Sequence, residues 1–241
     1  MIRKILSRLN KQDKFRYRGN EIFRIEALSD AVFAFSVSLL AASLEVPQTF
    51  HELKMITKGS IPFFFTVTLV FLFWYRQYIF FRRYGLNDFI TIVLNLAYLA
   101  VIIFYVFPLK FLFSLFISVV SGLDLFAKAN EEGLVILSNE EFPDLIILFS
   151  IGYFLIWLII YLLHLHVIQL SKLFAFTRFE KLVTQKEVRG ALGNLLVGLI
   201  ALLFACFHLT MVAGICYLFI PLILIINHYN FKRESKKIAD I

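Results

Sequence analysis

The side chains in this sequence that could do chemistry stand in apolar surroundings. Arg24, Glu26 and Asp30 fall within the stretch FRIEALSDAVFAF, at the entrance of a long apolar run. A carboxylate at that place either carries a proton or a cation, or serves as a fixed charge bonded across helices. His164 and His166 are two residues apart. On a helix that spacing separates them by about 200°, so they do not converge on one metal ion and read as interfacial side chains. No His, Cys, Asp and Glu set has ligand spacing, and no Gly-rich phosphate loop, nucleophile elbow or H-E-x-x-H motif occurs. Cys206 and Cys216 lie in apolar helix and read as buried thiols, with no disulfide framework. Asp30 is the one acid well inside an apolar run, Glu26 and Asp88 lying near span entrances, so the chain does not read as an enzyme and no cofactor is expected.

The elements that position these residues are set by composition. Hydrophobic residues make up 60% of 241, aromatic residues 17%, and the mean hydropathy is +0.82. Those values lie outside the globular mix and define an all-α polytopic membrane protein. Windows of about 20 apolar residues, enough to cross roughly 30 Å of hydrocarbon, recur along the chain. They predict six transmembrane helices, near 25–46, 60–82, 89–110, 145–168, 190–208 and 211–229, the third continuing as an apolar extension to about Val120. The first span is charged before its start, carries Asp30 and lacks a small-residue cleavage signature, so it is expected to be retained. The organisation expected is a basic N-terminal segment at 1–24, a six-helix unit at 25–230 and a basic tail at 231–241.

The net charge of +7 is distributed by connection. The N-terminal segment, the connections between spans two and three and between four and five, and the C-terminus carry all but four of the 24 Lys and Arg. The four are Lys54, Lys58, Lys110 and Lys128. That asymmetry is what the positive-inside rule gives for six spans with both termini in the cytoplasm. The basic charge therefore reads as topology and lipid contact, with no nucleic-acid partner. The connection between spans three and four holds Asp124, Glu131, Glu132, Glu140, Glu141 and Asp144. It is either a solvated loop or a means of concentrating cations at an outer mouth.

Counted at 1.5 Å per residue, Asp30 lies about 9 Å beyond Arg24, and Arg76 lies at a similar depth from the end of the second span. Gln77 stands beside Arg76, and Asn95 follows Asp88 by a comparable distance. Polar groups at one depth in lipid are expected to satisfy one another. The prediction is a layer in which Ser29 and Asp30 bond to Arg76, Gln77 and Asn95, with Trp74 beside them and Asn194 joining from the fifth span. The alternative for Arg76 is that it snorkels to the headgroups by itself. A neighbouring arginine would hold Asp30 ionised, which favours a fixed charge over a carrier.

On a helical wheel of about 100° per residue centred on Phe35, one face gathers Arg24, Leu28, Ala31, Leu39, Ala42 and Val46, with Ser38 at its edge. Asp30 falls about 140° away. The stripe is either ordinary packing against other helices or the wall of something else, and the helix is rich in small residues that permit close approach.

Arg24-Ile-Glu-Ala-Leu-Ser-Asp30 resembles the R-x-x-x-F-S-D signature of the transmembrane protein 175 family, the potassium channels of endosomes and lysosomes and their prokaryotic relatives. The signature opens the first helix and Glu45-Val46-Pro47 closes it; the likeness continues through Trp74, Asn95 and Phe107-Pro108-Leu109. A single six-helix unit is similar to the prokaryotic members. The resemblance implies a homotetramer in a cell membrane, with the first helix of each subunit lining a central pore and bulky apolar side chains forming the constriction. It places Phe35, Ser38, Leu39 and Ala42 at that constriction, flanked by Leu28 and Ala31. Arg24, Ser29, Asp30, Trp74, Arg76 and Asn95 are then the polar network that holds the helix. Phe35 stands where the family has a branched aliphatic residue, Leu28 replaces the motif phenylalanine, and Trp74-Tyr75-Arg76-Gln77 lacks the histidine common there. The expected function is a potassium-permeable channel; the alternative is a secondary or proton-coupled cation transporter using Asp30.

Overall fold

The computed structural model describes residues 15–239 except 45, 123–124, 127–132, 134 and 139. Most of the basic N-terminal segment, Glu45, Lys128, and Asp124, Glu131 and Glu132 of the acidic stretch lie outside the described residues. The elements are α1 (Arg24–Ala42), α2 (Phe50–Tyr84), α3 (Phe89–Ser121), α4 (Phe142–Leu170), α5 (Arg178–Cys206), α6 (Thr210–Cys216), a 3₁₀ turn (Tyr217–Phe219) and α7 (Ile220–Ala239). Among the described residues, six segments are long and apolar enough to cross a membrane, α6 through α7 counting as one.

Hydropathy located the spans, and local chemistry sets their ends. α2 starts well before the apolar run because Thr49 accepts a hydrogen bond from Glu52 N at 3.1 Å, and the helix then runs through Pro62. At its other end Gly85 takes φ +58°, the left-handed conformation that closes a helix. α3 is capped by Asp88, whose carboxylate accepts from Thr91 Oγ1 at 2.6 Å. The sixth span is broken rather than continuous. Pro221 stands at the start of α7 and has no N–H to give the preceding turn, which tightens to 3₁₀.

α4 and α5 form the most extensive helix pair, α3 packs on α4, and α1 leans on α2 and α3. Tyr98, Ile102 and Tyr105 of α3 and Ile156 and Val167 of α4 are almost wholly enclosed. Only 6% of the sixth span is buried within the subunit, so its surface is left for lipid or another chain. Cys206 is exposed and Cys216 half-buried, which corrects the expectation of buried thiols. In lipid, an apolar sequence marks outward faces as readily as inward ones.

His164 and His166 are also corrected, from interfacial to buried. The end of α4 is enclosed by neighbouring helices. His164 Nδ1 donates to the Ile160 carbonyl at 2.8 Å, with its ring edge-on to Phe80 and Tyr84. His166 Nε2 lies 2.8 Å from Asp88 Oδ2. The two imidazoles diverge to different partners. Burial of Asp88 opposes its ionisation, but bonds from Thr91 and His166 outweigh that and hold its carboxyl below the usual carboxylate range.

At the same basic end, residues 15–20 form a strap across the bundle. Arg18 N donates to Arg83 O at 3.3 Å and Gly19 N to Arg82 O at 3.2 Å. The approach is so close that a Cβ on Gly19 would run into the Phe81 carbonyl oxygen. Arg16 and Arg18 both pair with Glu180, at 3.2 and 3.1 Å, and the Glu180 side chain is fully enclosed. Glu180 also closes a capping box with Thr177 at the start of α5. One carboxylate thus joins the strap to the second half of the chain.

Candidate functional site: the first helix and its polar anchor

α1 has one face turned into its own subunit and one face turned away. Ile25, Ser29, Phe33, Ser36 and Leu40 are buried against α2 and α3. On the other side Leu28 is 45% and Phe35 55% exposed. Ala31, Ser38 and Ala42 share that open side, whereas Leu39 is half-buried. Ser38 Oγ donates to the Ala34 carbonyl at 3.0 Å, which spends its proton on its own helix and leaves its lone pairs outward.

The buried side carries the polar anchor. Ser29 Oγ donates to the Ile25 carbonyl at 2.7 Å and accepts from Gln77 Nε2 at 2.8 Å and from Asn95 Nδ2 at 3.0 Å. Gln77 Nε2 also donates to Asn95 Oδ1, closing a triangle among three helices. Ser29 and Asn95 are at most 2% exposed, so each bond is made where no water competes. Trp74 Nε1 donates to Asp30 Oδ1 at 2.7 Å. Nearer the far end, Lys110 Nζ donates to Ser43 Oγ at 2.5 Å, tying the last turn of α1 to α3.

Three expected members stand elsewhere. Arg76 does not reach Asp30; it pairs with Glu187 of α5 at 3.4 Å and lies over the Trp157 ring at 5.0 Å. Helix geometry explains this correction. Trp74 and Gln77 are about 60° apart on α2 and both face α1, while Arg76 is about 200° from Trp74 and faces α5. Arg83, almost two turns on, pairs with the same Glu187 at 3.0 Å. Asn194 does not join the layer either, because it accepts from Tyr153 OH at 2.7 Å and donates to the Gly190 carbonyl. Arg24 is exposed and, among the described residues, makes no bond to the anchor.

Glu187 and Glu180 were not singled out from sequence. A signal existed for Glu180 in Thr177-x-x-Glu180 before an apolar run. Glu187 has no local signal, since its partners lie more than a hundred residues away.

A helical bundle of six membrane-capable segments among the described residues, whose first helix is pinned by polar bonds on one side and left open on the other, defines a polytopic membrane protein. The family profile described as endosomal/lysosomal potassium channel TMEM175 matches residues 24–105, which contain the anchor and the open face. A protein of Marivirga tractuosa named as a potassium channel is 30% identical over 233 residues, 94% of each chain. The crystal structure of a threonine-to-alanine variant of the potassium channel MtTMEM175, in complex with a nanobody-MBP fusion protein, superposes with a TM-score of 0.78. It is 30% identical and the match covers 93% of this chain and 98% of that one. The chain belongs to the TMEM175 family.

Proposed function

We propose that the protein is a potassium-permeable cation channel that assembles as a homotetramer, with α1 of each subunit lining a central pore. The observation that carries the reading is the open stripe of α1. Leu28, Ala31, Phe35, Ser38 and Ala42 are left uncovered by their own subunit while the opposite face is fixed by the Ser29 triangle. In a ring of four copies, Phe35 and Leu39 form an apolar constriction that closes by dewetting, and Ser38 offers oxygen lone pairs to a partly dehydrated cation. Residues 25–230 are the channel unit. The basic N-terminal segment 1–24 and tail 231–241 face the cytoplasm of a prokaryotic cell; the Lys and Arg distribution supports the cytoplasmic orientation. Family membership and the names of its relatives as potassium channels support the cargo.

Full-length protein reconstituted in a planar bilayer tests this. Currents in unitary steps under a potassium gradient, larger than those under an equal sodium gradient, are expected. Saturable flux without unitary steps would instead identify a transporter, and no flux from folded tetramer would overturn both.

A further inference from the structure

A second feature lies away from the pore stripe. A cavity of about 830 Å³ opens among α2, α3, α4, α5 and α7. Its volume falls within the roughly 300–1,000 Å³ of sites that hold small molecules. The two ends of the cavity differ in chemistry. Toward the middle of the bundle its wall is apolar, with Leu69, Phe73, Leu109, Phe149 and Ile220. Toward the basic end it carries Arg76, Arg83 and Lys186 against a single acid, Glu187. Glu187 is shared by both arginines, so the polar end keeps an excess of positive charge.

One buried polar atom at this cavity, Asn227 Oδ1, has no partner among the described residues. Trp157 is only 7% exposed. Arg76 covers its ring, and the Tyr153 hydroxyl beside it, which donates to Asn194, keeps lone pairs that accept from the indole N–H. A buried indole N–H ordinarily finds an acceptor.

We propose that this cavity binds one anionic membrane lipid per subunit, drawn from the leaflet at the basic end, with its head at Arg76, Arg83 and Lys186 and an acyl chain along the apolar wall. Dimensions favour a lipid over a soluble anion. From Arg83 to Leu69 the wall of α2 rises about 21 Å, close to a headgroup layer plus half of a roughly 30 Å hydrocarbon core. The exposed Leu72, Tyr75 and Leu224 give it a lateral opening to the bilayer. A lipid headgroup supplies the anion that the basic end calls for.

The test is native mass spectrometry of the detergent-solubilised full-length chain titrated with dioleoyl-phosphatidylglycerol, dioleoyl-phosphatidylcholine or inorganic phosphate. Retention of one phosphatidylglycerol per subunit, at least about tenfold tighter than phosphatidylcholine, is expected from charge-assisted bonds. Leu224→Trp, which fills the opening, abolishes retention, and Lys186→Gln weakens phosphatidylglycerol binding several-fold with no effect on the neutral lipid. Thermal unfolding in detergent establishes that both variants are folded. Equal retention of the two lipids, unchanged retention in folded Leu224→Trp, or displacement of the lipid by inorganic phosphate would each overturn the proposal. The readout is independent of conduction, so its failure leaves the channel reading untouched.

Discussion

The indole N–H of Trp74 donates to Asp30 Oδ1 at 2.7 Å, so the carboxylate of the signature is met by a neutral donor on α2. An arginine opposite Asp30 would hold its charge; an indole mainly holds its direction. The bond ties α1 to α2 through Asp30.

Asp30→Asn keeps an oxygen for Trp74 and is expected to preserve folding and potassium current, whereas a carrier that cycles protons on Asp30 would lose flux in this variant. Trp74→Phe removes the donor and keeps the ring. Its expected cost is about 1.5 kcal/mol, the lower end for a bond to a charged group, because Asp30 is exposed at the subunit surface. Bilayer recording and thermal unfolding of both variants in detergent separate the two roles.

Ser29→Ala strips the shared acceptor from Gln77 and Asn95. Asn95 Nδ2 is then a buried donor without a partner, which costs about 1–3 kcal/mol. Ser38→Ala is the control, since that hydroxyl bonds only its own helix. Thermal unfolding should fall clearly for Ser29→Ala and barely for Ser38→Ala; equal losses would show that the triangle does not hold α1.

Six spans and a polar layer were legible because lipid punishes unsatisfied polar groups wherever they stand in the sequence. Ser29, Gln77 and Asn95 fall at one depth, and simple counting finds them. Partner choice within the layer was less legible. Arg76 is the instructive residue: depth put it beside Asp30, but its position one residue from Gln77 turns it toward Glu187. Wheel geometry within α2 contained that information, and the acid that receives it lies on a helix whose rotation no local pattern sets. Cys206 and the two histidines were misread for a related cause. Hydropathy reports affinity for an apolar medium and does not distinguish lipid from protein interior.

Phe35→Ala opens the narrowest ring of the proposed pore. A several-fold rise in unitary conductance or a loss of potassium over sodium preference is expected, with unfolding temperature nearly unchanged because Phe35 is 55% exposed in its own subunit. Unaltered conduction in a folded tetramer would remove Phe35 from the constriction.

Glu180→Gln tests the strap. The carboxylate is fully enclosed and its partners Arg16 and Arg18 are 59% and 18% exposed, so the loss should be about 3 kcal/mol, the low end for breaking a buried pair. Limited proteolysis should cut near Arg16 and Arg18 faster in the variant than in the parent. Equal cleavage rates would mean that backbone bonds from Arg18 and Gly19 suffice to hold the strap.

Asp88 supplies a pH dependence whose sign follows from its bonds to Thr91 and His166. Its folded carboxyl ionises more readily than an unfolded one, so ionised Asp88 stabilises the fold above the unfolded value of about 4. That contribution is lost as pH falls through the lower folded value. Unfolding temperature of the parent minus that of Asp88→Asn should therefore be positive just above pH 4 and shrink on further acidification. Asparagine still caps α3, so the difference isolates the charge. A difference that grows on acidification would mean the carboxyl is held against ionisation, and the cap would have to be assigned to the protonated acid.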